Sequence, residues 1–360
     1  MKKLLTLLAG STLALYMQGC SDSGTSANND NPFKASVYVF GSNRTDAGEL
    51  RWIDEDGEVS EAKVSLYQDS RIFPIDGKIF VLEGLSIDNI SVFDPSKNKV
   101  TAQIKLDDSS NPIDVVKAND DEVWVALQNA PKIVKVSFEK KKVINKIKTK
   151  DFIQGKAISP NVVDLEVTGD TLIALFQRMD ENWGTPAPGL IALYTLDEGK
   201  LLDTIRLAKY NPQTMGFAKG KLYVASLGAY DAATYGYDSE KAGVEVVDLA
   251  KKKSSVVVEG KKLGGGIFAM ALNSDEGLAY VGVYESWGKI PLAQVNLSDK
   301  SIKKIKGISN IVGSLAYDSD AETLYIGNDD YFYSYKGDKV EKVENAAKDA
   351  LQPYGIAILK

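Results

Sequence analysis

The chain has 360 residues, with 43 basic and 49 acidic side chains, one cysteine and no histidine. Without histidine, the sequence excludes a Ser-His-Asp triad, a Cys-His pair and imidazole ligands for zinc or copper. A single cysteine excludes an intramolecular disulfide. The net charge of −6 argues against a nucleic-acid partner. Hydrophobic residues make up 44% of the chain, which is enough for a large core.

The N-terminal residues have the pattern of an export signal. Two lysines precede an apolar stretch from Leu4 to Met17, which has the length of a signal-peptide core and is short for a membrane span. The stretch leads to Cys20, the only cysteine of the chain. This arrangement resembles the lipobox of bacterial lipoproteins, which implies that residues 1–19 are removed as a lipoprotein signal peptide and that Cys20 carries lipid such as palmitate. The alternative is an ordinary secretory signal with an incidental cysteine.

Residues 20–33 have the composition of a tether. The run from Ser21 to Asn31 has no large apolar residue, so it cannot bury enough surface to fold and we expect a flexible linker. Ser21 directly after the cysteine is similar to the pattern that sorts lipoproteins to the outer membrane. We therefore expect a lipid-anchored protein of the bacterial cell envelope, located at the outer membrane.

Residues 34–360 repeat one pattern of strands. Seven segments, such as 92–100 and 136–143, place a charged turn between two β-rich runs, roughly every 40 to 55 residues. A second hairpin precedes six of these seven. The missing strands lie at the two ends, because residues 36–41 have no partner strand before them and residues 353–360 have none after them.

The repeat predicts an all-β fold, a seven-bladed β-propeller closed by the C-terminal strand joining the N-terminal blade. We expect this propeller to be monomeric and to include no helix of ten residues or more. The segments Leu222–Gly228, Gly243–Lys253 and Asp121–Val143 resemble the YVTN repeats of quinoprotein-dehydrogenase-like propellers. These repeats are WD40-like, and the family includes lipid-anchored bacterial members. The resemblance implies the fold and leaves the function open.

Four of the predicted loops between the second and third strands of a blade are long, and they are rich in aromatic and arginine residues. They occupy residues 41–48, 177–189, 228–243 and 284–289. Large rings in solvent-facing loops are typical of a recognition surface, although such loops also pack their aromatic residues on each other. The candidate ligand-binding residues in these loops are Arg44, Arg178, Trp183, Tyr230, Tyr235, Tyr237, Tyr284 and Trp287.

A second group of candidates precedes the innermost strands. Asn111 and Asn211 stand directly before prolines there, and further amides or Arg71 occupy the matching positions of other blades. These side chains would ring the mouth of the central channel and could bind a polar ligand. The alternative is that Asn simply suits the turn into a strand.

The sequence predicts binding rather than catalysis, with no cofactor and no metal site. Acidic turns such as Asn119–Asp121 lack the spacing of a calcium loop. By analogy with lipid-anchored propellers, we expect the propeller face to bind a small molecule, such as a corrinoid or an iron chelate, for a TonB-dependent outer-membrane transporter. The alternatives are a protein-docking scaffold and a metal-dependent, lactonase-like hydrolase. The hydrolase requires two or three carboxylates around the channel that perturb each other's pKa.

Overall fold

Thirty β-strands make up nearly all the regular structure of the residues that the computed structural model describes. These are residues 37–53, 57, 59–60, 63–231, 234, 236–329, 331–343 and 351–360. The predictions for residues 1–33, Cys20 among them, and for Tyr235 lie outside the described residues.

The strands are numbered in chain order. The first eleven are β1 (Val37–Ser42), β2 (Gly48–Ile53), β3 (Val64–Leu66), β4 (Ser70–Ile75), β5 (Lys78–Glu83), β6 (Asn89–Asp94), β7 (Lys99–Lys105), β8 (Pro112–Lys117), β9 (Glu122–Leu127), β10 (Lys132–Ser137) and β11 (Lys142–Lys148). The next ten are β12 (Val162–Thr168), β13 (Thr171–Phe176), β14 (Leu190–Thr195), β15 (Leu201–Arg206), β16 (Pro212–Ala218), β17 (Lys221–Ser226), β18 (Ala229–Asp231), β19 (Gly236–Asp238), β20 (Gly243–Asp248) and β21 (Lys253–Glu259). The last nine are β22 (Gly266–Asn273), β23 (Leu278–Tyr284), β24 (Leu292–Asn296), β25 (Ile302–Ile305), β26 (Ile311–Asp318), β27 (Thr323–Asn328), β28 (Phe332–Lys336), β29 (Lys339–Val343) and β30 (Gln352–Ile358).

Seven antiparallel sheets of four strands each form the blades. Blades two, three, four, six and seven take four consecutive strands, starting at β4, β8, β12, β22 and β26. Blade five contains β16, β17, β20 and β21, because the two-stranded ribbon β18–β19 interrupts it between its second and third strands. Blade one contains β30, β1, β2 and β3, in that order from its inner to its outer strand.

The ring closes through the pairing of β1 with β30. The two strands are antiparallel, with Val37 opposite Ile358 and Val39 opposite Ile356. The innermost strands also contact one another in succession, β4, β8, β12, β16, β22, β26, β30 and back to β4. The predicted seven-bladed propeller, closed by the C-terminal strand, is therefore confirmed.

The core consists of seven hydrophobic clusters, one between each pair of neighbouring blades. Between blades three and four, the indole N–H of Trp124 donates to the Leu196 carbonyl at 2.7 Å. The second strand of blade four, β13, is buried from Leu172 to Phe176 because both of its faces are covered by other blades. The outer strand β7 instead alternates exposed and less exposed residues, as a strand with one solvated face does.

Helical structure is limited to short pieces in the described residues. They are the 3-10 turns Pro95–Lys97 and Lys150–Phe152 and the four-residue helix α1 (Gly260–Leu263). Within the described part of the chain, none of these is long and apolar enough to cross a membrane.

Candidate ligand-binding site

One end of the ring is built from the C-terminal ends of the second strands and the starts of the innermost strands. A repeated backbone hydrogen bond joins the two sets. The N–H of Gln128, which follows β9, donates to the Asn111 carbonyl at 3.0 Å, and the N–H of Gln177, which follows β13, donates to the Asn161 carbonyl at 3.0 Å. The repeat therefore places side chains of successive blades around one mouth of the channel.

The asparagines before the innermost strands have a conformational role. Asn111, Asn161 and Asn211 have φ of 49°, 54° and 53°, in the left-handed region that Asn tolerates better than most residues. The Asn111 amide is also engaged, since its Nδ2 donates to Gln128 Oε1 at 2.9 Å. For Asn111, a role in the turn that leads into the innermost strand is therefore a sufficient explanation. Asn211 adopts the same turn conformation and also lines the cavity described next.

A cavity of about 830 Å³ lies at this mouth, and we call it the mouth cavity. Its lining combines aromatic side chains from the loops with amides from the strand ends. The aromatic set comprises Trp183, Tyr230, Tyr237, Phe268, Tyr284, Trp287 and Tyr354. The amide set comprises Gln128, Gln177, Asn211, Gln213, Asn310 and Gln352.

Three of these aromatic residues form a tyrosine cluster, namely Tyr230, Tyr237 and Tyr284. Tyr230 and Tyr237 are paired across the ribbon β18–β19, with ring centroids 5.6 Å apart. Tyr237 meets Tyr284 edge to face at 5.0 Å. Burial, together with the neighbouring tyrosines, raises the pKa of Tyr237, so its phenol is neutral at physiological pH. The loops therefore do pack on themselves here, and the packed rings line the cavity as well.

The two loop tryptophans remain in solvent. Trp287 is 92% exposed and Trp183 is 65% exposed, and both line the mouth cavity. Trp183 also has φ of 65°, which is unfavourable for a bulky residue. An exposed indole buries little surface on folding, and Trp183 also has an unfavourable backbone conformation, so the two residues favour a role in recognition.

A second cavity, of about 1030 Å³, adjoins the first. The two cavities share the tyrosine cluster and Trp287. The second cavity is the more polar, because its lining includes Asp231, Asp238, Lys241 and Glu285.

The amide set keeps unused hydrogen-bonding groups. Gln177 is 5% exposed as a residue, lines the cavity, and makes no side-chain hydrogen bond within the described structure; its amide is not among the buried unpartnered groups, so it is open to the cavity. Gln213 Nε2 donates to Asn211 Oδ1 at 2.8 Å, which leaves the Asn211 Nδ2 available. Gln352 donates to the Asp329 carbonyl at 3.1 Å and accepts from the Tyr354 hydroxyl at 2.6 Å. The mouth cavity is therefore lined by fixed amides with spare donors and acceptors.

The two predicted arginines do not line the mouth cavity. Arg44 forms an ion pair with Asp69 and stacks 4.0 Å above the ring of Tyr354, which does line it. Arg178 donates to the Pro188 carbonyl at 3.3 Å, and burial lowers its pKa. The one ionisable carboxylate in the lining, Asp329, accepts hydrogen bonds from the Asn310 and Asn328 amides at 2.9 and 3.1 Å.

Carboxylates also lie deeper, on the innermost strands. Asp114 accepts from the Leu165 N–H of the next blade at 2.5 Å, and Asp164 accepts from the Met215 N–H of the blade after that at 2.6 Å. Both acids stand at β-bulges, where the register with the second strand shifts. These links were not predicted from the sequence, although an aspartate at the third position of two consecutive innermost strands was a visible signal.

These carboxylates perturb one another. Burial raises the pKa of Asp114 to about 6, in spite of the hydrogen bond from Leu165 and the charge of Arg71. Burial and the nearby Asp114 raise the pKa of Glu166 to about 7, and burial with Asp114 and Glu166 raises that of Asp164. These carboxylates therefore meet the pKa condition of the hydrolase alternative, whereas within the described residues no group of three acidic, histidine or cysteine side chains is arranged to hold a metal ion.

The comparisons with known proteins bear on the fold. No protein-family model matches the sequence, and no curated protein matches it. Among solved structures, the chain is similar to hydrazine synthase of Kuenenia stuttgartiensis, with a TM-score of 0.57 and 13% sequence identity. The similarity covers 89% of this chain and 98% of that one. At this identity the likeness shows a shared propeller fold and nothing about activity.

Proposed function

We propose that this chain is a non-catalytic binding protein of the bacterial envelope, and that its mouth cavity holds a small molecule. The observation that carries the proposal is the pair of exposed indoles, Trp183 and Trp287, beside a cavity lined by amides. A concave, largely apolar site with a few convergent polar groups is the usual form of a small-molecule site. The site residues of this proposal are the cavity-lining ones, and Arg44, Arg178 and Asn111 support them from outside.

The cellular setting of the proposal comes from the sequence. The lipobox-like segment ending at Cys20 supports a lipid anchor at the outer membrane, and the repeat pattern supports kinship with YVTN-type propellers. In this setting the protein would capture a nutrient, such as a corrinoid or an iron chelate, for a TonB-dependent transporter. Mass spectrometry of the native protein tests the anchor, since the mature N-terminus should be an acylated Cys20.

Native mass spectrometry of the protein purified from its own host tests the binding function. We expect a non-covalent adduct that is lost on denaturation. Titration with cyanocobalamin and ferrichrome, followed by tryptophan fluorescence, tests the two ligands suggested by analogy. The proposal fails if the protein is recovered empty and its fluorescence responds to no ligand class.

The near-complete exposure of Trp287 also favours a second candidate, a protein-docking surface. A docking surface needs no cavity, so the two functions separate experimentally. If a partner protein binds with equal affinity to the wild type and to Gln177→Leu, which changes only the cavity lining, docking is the function.

A further inference from the structure

We propose that the mouth cavity binds a neutral oligosaccharide. This inference rests on the proposed function, because it names the ligand class of the same site. It is carried by three properties of the lining, namely its charge, its amides with available donors and acceptors, and its exposed indoles.

The lining offers no positive charge. It contains neither lysine nor arginine, and its one carboxylate, Asp329, is already held by the Asn310 and Asn328 amides. Arg44, whose guanidinium stacks on the cavity ring of Tyr354, is paired with Asp69. A carboxylate or phosphate ligand would lose hydration here without gaining a counter-charge, so the lining disfavours anionic ligands.

The amides fit hydroxyl groups. An amide side chain offers a donor and an acceptor on one plane, and a sugar hydroxyl can serve as both donor and acceptor. Gln177 is the sharpest case, because no side-chain hydrogen bond holds its amide in the described structure and the residue lines the cavity. A ligand hydroxyl in the cavity could bond this amide directly, in place of the solvent that it would otherwise contact. A site of this kind discriminates strongly in favour of ligands that supply the missing hydrogen bond.

The exposed indoles suit the apolar faces of a sugar ring. A pyranose ring presents C–H groups on its flat faces, which pack on an aromatic ring by dispersion and weak C–H contacts. Trp183 and Trp287 provide such platforms at the edge of the cavity.

The shape of the site favours a chain over a single sugar. The mouth cavity, at about 830 Å³, lies in the upper part of the range of about 300–1,000 Å³ that is usual for ligand sites. Trp287 and the tyrosine cluster also line the adjoining polar cavity. A ligand that extends past Trp287 would therefore find a second set of polar groups, as an oligosaccharide requires.

Isothermal titration calorimetry with a defined panel tests the inference. The neutral probes are the pentaoses of β-1,4-glucan, α-1,4-glucan, β-1,4-xylan and β-1,4-mannan. The other probes are tri-galacturonic acid as an anionic sugar and cyanocobalamin as a non-sugar. We expect at least one neutral pentaose to bind in a 1:1 complex, and tri-galacturonic acid to bind at least tenfold more weakly.

Paired variants locate the binding. Gln177→Leu and Trp287→Ala should each weaken binding of that pentaose about tenfold or more. The matched controls are Gln103→Leu on the outer strand β7 and Leu201→Ala on the outer strand β15, both exposed and remote from the cavity, and these should leave the affinity unchanged.

The possible failures are distinguishable. If cyanocobalamin or tri-galacturonic acid binds in a manner sensitive to Trp287→Ala and no neutral pentaose does, the saccharide inference is wrong and the proposed binding function stands. If no probe binds and the native protein carries no adduct, both are wrong.

Discussion

Trp183 and Trp287 are the residues whose proposed role in binding is most distinct from any role in the stability of the fold. The other two tryptophans, Trp52 and Trp124, are buried between blades, where their size fills the core. The loop tryptophans are exposed instead, so substituting them should remove little packing. What they contribute is accessible aromatic surface at the mouth cavity.

This contrast predicts the effect of alanine substitutions on stability. Trp287→Ala should change the free energy of unfolding by less than about 0.5 kcal/mol. Trp124→Ala should lower it by about 3–5 kcal/mol, because it leaves a cavity and removes the hydrogen bond to Leu196. Urea unfolding of both variants measures the difference. Similar losses in the two variants would show that Trp287 is packed after all.

Glu166 should make stability depend on pH. Its pKa is raised to about 7 in the folded protein, above the ordinary value near 4.3 in an unfolded chain. The folded state therefore binds more protons between these two values, and stability should fall as pH rises through this window and then level off. Asp114, whose pKa is raised to about 6, acts in the same direction.

Replacing Glu166 tests that mechanism. Glu166→Gln removes the buried charge, so it should stabilise the protein at pH 8 by on the order of 1–2 kcal/mol, and have little effect at pH 5. Thermal unfolding at both pH values measures the change. The control is Glu198→Gln at an exposed turn. A variant that is less stable than the wild type at pH 8 would contradict the assigned direction.

Of the loop residues that the sequence proposed for binding, the described aromatic ones line the mouth cavity and the two arginines do not. Exposed rings are visible as composition, and five of the predicted residues, Trp183, Tyr230, Tyr237, Tyr284 and Trp287, do line one cavity. The pairing of Arg44 with Asp69 joins residues 25 positions apart, so only the folded chain reveals it. Gln177 was passed over because one amide in a loop carries no pattern.

At the scale of elements, the innermost strands are linked from blade to blade by side chains. Asp114 and Asp164 each accept a backbone N–H from the following blade. Ser314 on β26 does the same for the Ile356 N–H of β30, at 2.8 Å. An innermost strand is paired with another strand of its blade on one side only. These hydrogen bonds therefore satisfy backbone N–H groups on its unpaired edge.

The hydrogen bond between Ser314 and the Ile356 N–H should contribute measurably to the stability of the closing strand. Ser314→Ala leaves the Ile356 N–H without its acceptor, which should cost about 1–3 kcal/mol and speed hydrogen exchange in β30. Hydrogen-exchange mass spectrometry of the C-terminal peptide measures the second effect. Ser65→Ala on the exposed face of β3 is the control. Unchanged exchange in β30 would show that this bond does not hold the closing strand.

Strand patterns were predictable because local chemistry determines them. Alternating apolar runs and charged turns predicted both hairpins of each blade, and the structure confirms that arrangement. The ribbon β18–β19 was not predicted, since its strands have three residues each and include Gly236. Its pairing depends on Tyr237 packing against Tyr284 of another blade, a contact absent from any local window.

At the scale of the whole molecule, the closing strand β30 belongs to two parts of the ring. It pairs with β1 and packs against the innermost strands of blades two and seven. Ile356 and Ala357 are buried in the clusters on the two sides of blade one. Closure therefore joins the ends of the chain and completes the core.

Truncation of the C-terminus measures how much the closing strand β30 contributes to stability. Removing residues 351–360 should prevent folding, or lower the unfolding temperature by about 10 °C or more, because it exposes both clusters and one edge of β1. Removing only residues 359–360 should have a small effect. A truncated protein that unfolds at the wild-type temperature would contradict the role assigned to β30.

A crystal structure of the mature protein purified from its own host tests the central claim most directly. The account predicts seven closed blades and ordered non-protein density in the mouth cavity, in contact with the Gln177 amide and stacked on Trp183 or Trp287. A cavity that holds only water, or a ligand bound elsewhere on the propeller, would contradict it.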